Sequence, residues 1–165
     1  MKAELFSTDF ITSIILFLSV LLILIFYYNN MQNDIYQSYL LNDMQRKAIS
    51  VSDLLATSSG NPEYWDATSV NVIGLHDAGK INLTKFLELK KLDHQDVKVM
   101  LGTGVYNLNI SLKNETGATI DEGGEVYSFG LPLVNTKNVV SIKRLGIADI
   151  TSANKKVILE VILWG

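Results

Sequence analysis

Cysteine is absent from the 165 residues, and disulfide staples, thiol nucleophiles and zinc-thiolate sites are absent with it. Histidine is scarce: His76 and His94 are too few for an imidazole metal centre or a serine-histidine relay. Basic residues are not in excess. Fourteen Lys and Arg against seventeen Asp and Glu leave a formal net charge of -3, whereas a nucleic-acid binder needs a dense basic field to displace phosphate counterions. No nucleic-acid partner is therefore expected. Gly102-Thr103-Gly104 lacks the rest of a dinucleotide fingerprint, no Gly-Lys-Ser or Gly-Lys-Thr follows a glycine, and no Gly-x-Ser-x-Gly elbow occurs. His76-Asp77, and His94 with Asp93 and Asp96, lack helical ligand spacing and read as solvated surface residues. These absences point away from an enzyme, and no catalytic residue, metal or cofactor is assigned.

Glycine and proline are unevenly placed. All eleven glycines lie at Gly60 or later, as do Pro62 and Pro132, so the first 59 residues contain no strong helix breaker. Within that stretch Phe10 to Tyr28 carries no charge, and Ile14 to Phe26 is interrupted only by Ser19. At ~1.5 Å per helical residue this run reaches ~28 Å, the thickness of a bilayer's hydrocarbon core, with Tyr27 and Tyr28 placed for an aromatic belt. A cleaved secretory signal fits poorly, because the run is long and Asn29, Asn30 and Gln32 follow it instead of a small-residue cleavage site. A core helix would show a polar stripe, and this segment has none. A retained membrane segment over about 10–28 is the reading adopted. Lys2 on one side, with Asp34 and Asp43 ahead of Arg46 and Lys47 on the other, favours an inside amino terminus and an exported body.

Beyond the apolar run, Tyr28, Met31, Ile35, Tyr39 or Leu40, Met44, Ala48, Val51 and Leu55 recur mostly in steps of four, with charges between them. This predicts an amphipathic helix continuing in phase from the membrane segment and packing on the rest of the protein. Ser58 to Pro62 end it, giving one helix over 1–60. Residues 61–165 are expected to form a β-rich head. Ser69 to Leu75 alternates like a short strand, and Asn82 to Leu92 has helical spacing, extendable to Leu101. Val105 to Leu112 alternates strictly, Glu125 to Leu131 restarts extended structure, and Val139 to Ile147 and Val157 to Trp164 are further strands. The last of these is apolar enough to need an interior place in a sheet. The predicted fold class is α+β: a long amino-terminal helix, then a head with an antiparallel sheet of about four or five strands and a short helix.

A short leader, an apolar helix with an acidic residue near its start, an amphipathic continuation and a β head together resemble type IV pilins, the archaeal branch most of all. In that family a prepilin peptidase cuts before the apolar segment, after a basic and a small residue. Lys2-Ala3 before Glu4 resembles that pair, so Ala3 and Glu4 are the implied cleavage residues. The archaeal pattern has glutamine first, serine third and glutamate fifth after the cut; here Glu4 stands first, Ser7 fourth and Asp9 sixth. Gly60 to Asp66, leading into Val70 to Leu75, is also similar to a segment of archaeal pilin-like proteins. The resemblance implies helices that leave the membrane and bundle into a filament, with Asp9, and after it Glu4, pairing with a neighbour's amino terminus. Read without the resemblance, Asp9 is a helix-start residue favoured by the macrodipole after Ser7 and Thr8.

Three sequons, Asn82-Leu83-Thr84, Asn109-Ile110-Ser111 and Asn114-Glu115-Thr116, are possible N-glycosylation sites on an exported chain, with Asn114 in the most turn-like context. The expected function is a structural subunit of a surface filament, membrane-anchored before assembly. Its partners would be its own copies, the membrane, a prepilin peptidase, the assembly machinery and attached glycans. The alternatives are a single-pass anchored ectodomain that binds a partner without polymerising and, last, a membrane-tethered hydrolase.

Overall fold

A computed structural model describes the backbone of residues 2–151 and 153–165, and side chains from Thr8 onward with Ser152 excepted. The chain divides into two units, Met1–Leu40 and Leu41–Gly165. One helix, α1 (Lys2–Thr57), provides the described residues of the first and opens the second. It runs 56 residues without a break, as the absence of glycine and proline from this stretch predicts.

In the second unit the buried face of α1 is Met44, Ala48, Val51 and Leu55, each at most 1% exposed. They are four of the residues singled out by periodicity, and they join the core formed by the sheet. Short strands β1 (His76–Asp77) and β2 (Lys80–Ile81) precede helices α2 (Leu83–Lys90) and α3 (His94–Met100). The turn between the two strands places Ala78 at φ 46° and Gly79 at φ 83°, the paired left-handed geometry of a tight hairpin. Then follow β3 (Asn107–Lys113), β4 (Asp121–Glu122), β5 (Glu125–Val126), β6 (Ser128–Gly130), β7 (Val139–Ile150) and β8 (Ala153–Trp164).

Six of these strands make one sheet in the order β1-β2-β7-β8-β3-β6, and β4 pairs with β5 alone. All pairs in the main sheet are antiparallel except β2 with β7, which meet in parallel through Ile81 and Ala148. The strand β8 is interior, flanked by β7 and β3, as its composition requires. Its register, Val139↔Trp164 through Ile150↔Ala153, places Val157, Leu159, Val161 and Leu163 on the core face, all fully buried. Leu108, Ile110 and Leu112 of β3 share that face at 0% exposure. Alternation with period two thus identified the inward residues of β3.

Two expectations are corrected. Ser69 to Leu75 is not a strand; its one ladder contact is the isolated bridge Asn61↔Val72. Asp66 organises a turn at its start, its Oδ1 accepting from Thr68 N, Thr68 Oγ1, Ser69 N and Ser69 Oγ at 2.8–3.0 Å, and this local bonding competes with a sheet ladder. The end of the segment instead satisfies carbonyls left open by α1: Leu75 N donates to Leu55 O and His76 N to Ser58 O, both at 3.0 Å. Gly74 passes so close to Ser58 and Gly60 backbone that a Cβ there would collide with both. The helical stretch from Asn82 is also two helices rather than one. Asn82 caps α2 through its side chain on Lys85 N, and Asp93 caps α3 on Gln95 N, so a second N-cap interrupts the run.

Candidate functional site

The surface with the strongest chemical character is that of α1 within the first unit. From Thr8 to Tyr39 every side chain is exposed, including Phe10 at 63%, Phe17 at 66% and Phe26 at 70%. Its run from Phe10 to Tyr28, apolar all round with no face buried, is matched to lipid or to other apolar helices, not to water. Two hydroxyls within it do not oppose this. Thr12 Oγ1 donates to Thr8 O at 2.8 Å and Ser19 Oγ to Leu16 O at 2.7 Å, so both are satisfied inside the helix. Among the described residues this is the one helix long and apolar enough to cross a membrane.

Asp9 lies on this surface, exposed and in no ion pair among the described residues, and it is the only charged side chain between Thr8 and Asp34. Because α1 already begins at Lys2, Asp9 stands two turns inside the helix and is not its cap. The macrodipole fades beyond the first turn, so the helix-start explanation of Asp9 is removed. Ala3 and Glu4 fall within the first turns of α1, and their side chains lie outside the described residues, as does that of Ser7. The three sequon asparagines are dispersed over the second unit: Asn82 caps α2, Asn109 lies within β3, and Asn114 opens the turn after β3.

Within the second unit the α1 segment is fastened to the sheet at several points. Arg144 of β7 reaches Asp53 (Nη2 to Oδ1, 2.6 Å) and donates from Nε to Ser52 Oγ at 3.3 Å. Tyr106 donates to Asp43 Oδ2 at 2.9 Å, and Lys47 pairs with the same carboxylate at 3.2 Å while lying 5.0 Å over the Tyr106 ring. The Tyr106 hydrogen bond, then that of Lys47, holds the Asp43 carboxyl below its ordinary range. Lys85, buried on α2, donates from Nζ to Ser59 O at 2.8 Å and tethers the chain just past α1.

One acidic residue on the sheet is buried although sequence pattern did not single it out. Glu160 of β8 is 4% exposed on the face opposite the core, opposed by Ser111 on one side and Lys143 on the other. Burial pushes its carboxyl up, but the bonds from Lys113 and Ser141 and the charge of Lys143 outweigh that and hold it below its ordinary range. The signal available beforehand was a single acid inside the apolar run Val157 to Trp164, with lysines on the two adjacent strands whose register only the sheet reveals. A polar cleft of about 280 Å³ beside the β1-β2 turn has its charges already paired, Lys80 with Asp149 at 2.9 Å and Asn82 Nδ2 with Asp77 at 3.0 Å.

A single long apolar helix followed by a folded β-sheet head defines the class: a membrane-associated protein with a structured domain carried on its helix. Beyond that class, no family model, curated protein or solved structure matches the chain.

Proposed function

We propose that this chain is a type IV pilin-like subunit of an archaeal surface filament, anchored in the membrane by α1 and assembled when the apolar parts of α1 from many copies bundle together. The observation that carries the reading is the length of the uncovered apolar surface. The uncharged run Phe10 to Tyr28 already matches a hydrocarbon core at ~28 Å. Past it, Met31 at 42%, Ile35 at 54% and Tyr39 at 69% exposure extend an apolar stripe into water before the buried residues begin at Met44. An anchor alone has no use for those three turns; a helix that packs against copies of itself does, since the stripe is then covered throughout. The head would form the outer coat and make contacts with surfaces or other cells.

Asp9 has a role on this reading. A lone carboxylate beside hydrocarbon is costly unless paired, and a neighbour's freed amino terminus after cleavage between Ala3 and Glu4 supplies a cation. Material sheared from producing cells, imaged by electron microscopy with the chain identified by mass spectrometry, tests the proposal. Helical filaments containing the chain, with a mature amino terminus at Glu4, are expected. Retention of the intact chain in the membrane fraction, with none in filaments, would sink the filament reading and leave an anchored ectodomain. Asp9→Ala should lower filament yield while leaving the head folded; an unchanged yield removes the pairing role.

A further inference from the structure

The three sequons differ in the geometry of the atom that would be modified. In Asn82 both ends of the amide are engaged, Oδ1 accepting from Lys85 N at 3.2 Å and Nδ2 donating to Asp77 Oδ2 at 3.0 Å. The sequon continues directly into α2, so presenting it to an enzyme requires unwinding the first turn of that helix. In Asn109, Nδ2 donates to Leu131 O at 3.0 Å. Its backbone belongs to β3, with Gly130 of β6 on one side and Ile162 of β8 on the other, so presenting it to an enzyme requires opening the sheet.

Asn114 differs at each point. It is exposed, as are Glu115 to Thr119 after it. Its backbone forms a closed turn, Gly117 N donating to Asn114 O at 3.0 Å and Asn114 N to Ala118 O at 2.9 Å, with Gly117 at φ 85°. Of the side-chain atoms only the oxygen is engaged in the turn, accepting from Thr116 N at 3.0 Å, Ala118 N at 2.9 Å and Thr116 Oγ1 at 2.7 Å. Backbone N-H groups can only donate, so Oδ1 is fixed as the inward atom and Nδ2 is left facing solvent without a bond. The threonine hydroxyl that the sequon requires is already bonded to the acceptor amide. Beside the turn, an open groove of about 430 Å³ lined by Glu115, Asn154, Lys155 and Lys156 leaves room for a first sugar.

We infer that Asn114 is the N-glycan acceptor of the folded head and that Asn82 and Asn109 are not. The inference goes beyond the filament reading and rests only on export of the head. The transfer needs a lipid-diphosphate-linked oligosaccharide and an oligosaccharyltransferase. Asn114 Nδ2 forms a bond to the anomeric carbon as the carbon-oxygen bond to the diphosphate breaks. The lipid diphosphate leaves with the electron pair, and the amide proton passes to a base of the enzyme.

The test is incubation of the full-length folded protein in detergent with a single-subunit oligosaccharyltransferase and such a donor, read by intact mass and peptide mapping. A standard acceptor peptide in the same tube reports that the enzyme is active. One glycan at Asn114 is expected, abolished by Asn114→Gln and by Thr116→Ala, restored in part by Thr116→Ser, and unaffected by Asn82→Gln or Asn109→Gln. A folded chain left unmodified, or modified at Asn82 or Asn109 in preference to Asn114, overturns the inference. Filament assembly plays no part in the assay, so failure here and failure of the proposed function are separate results.

Discussion

His94 opens α3 with its ring 5.8 Å from that of Phe129, and neither ring nitrogen reaches solvent or a partner. Burial, then the charge of Lys98, holds its pKa below the ordinary 6.5, with Asp93 opposing the shift. The unfolded chain therefore takes up a proton near 6.5 while the folded chain resists it. Stability contributed by neutral His94 is complete above that value and lost as pH falls toward the folded pKa. Thermal unfolding followed by circular dichroism should show the midpoint dropping as pH falls below about 6.5, and His94→Leu should flatten that limb. Glu160 titrates lower and in the same sense, because its folded pKa is also depressed. Its contribution is present above about 4.5 and vanishes as pH falls through the folded value. Glu160→Gln leaves Lys113 and Lys143 without their carboxylate and should cost about 1–3 kcal/mol in denaturant titrations at neutral pH. Asp66, held from its ordinary 3.8 down to about 2 first by its hydrogen bonds from Thr68, loses its own contribution only below about 3.8, so it leaves the His94 limb untouched and adds to the acid limb of Glu160.

At the scale of elements, α1 combines two surfaces of different fate. Leu55 is fully buried among head residues, so Leu55→Ala should destabilise the head by roughly 2–5 kcal/mol. Ile35→Ala removes a side chain that is 54% exposed and should leave the denaturation midpoint within about 0.5 kcal/mol of the parent. The same position separates stability from assembly: Ile35→Asp should spare the head and abolish filaments, which microscopy of sheared material reads directly. Gly74→Ala tests the connection between α1 and β1. Its added Cβ meets Ser58 and Gly60 backbone, and a loss of about 1–3 kcal/mol is expected in the same titration.

For the whole molecule, the lack of cysteine makes single-cysteine variants clean reporters. In liposomes, Leu22→Cys should resist a membrane-impermeant maleimide and Thr119→Cys should react within minutes, since the first lies mid-run and the second is exposed on the head. Equal labelling of both would contradict insertion of Phe10 to Tyr28. In assembled filaments Met31→Cys should crosslink neighbouring copies, whereas in dilute detergent it should not, which separates bundling from simple anchoring.

The amino-acid sequence by itself determined the long helix, its apolar run, the inward residues of α1 from Met44 to Leu55, the alternation of β3 and the interior place of β8. Each of these follows from a local period, from local composition or from the placement of glycine and proline, and none depends on what lies across the fold. The tertiary structure alone decided the rest. Sheet order, the parallel meeting of β2 with β7 and the lysines that enclose Glu160 depend on register between strands distant in sequence. Ser69 to Leu75 carried the pattern of a strand, but the open carbonyls at the end of α1 and the side chain of Asp66 claimed its backbone. Asn114 was favoured among the sequons for its turn-like context, yet the orientation of its amide follows from hydrogen bonds with Thr116 and Ala118 that only the folded turn brings together.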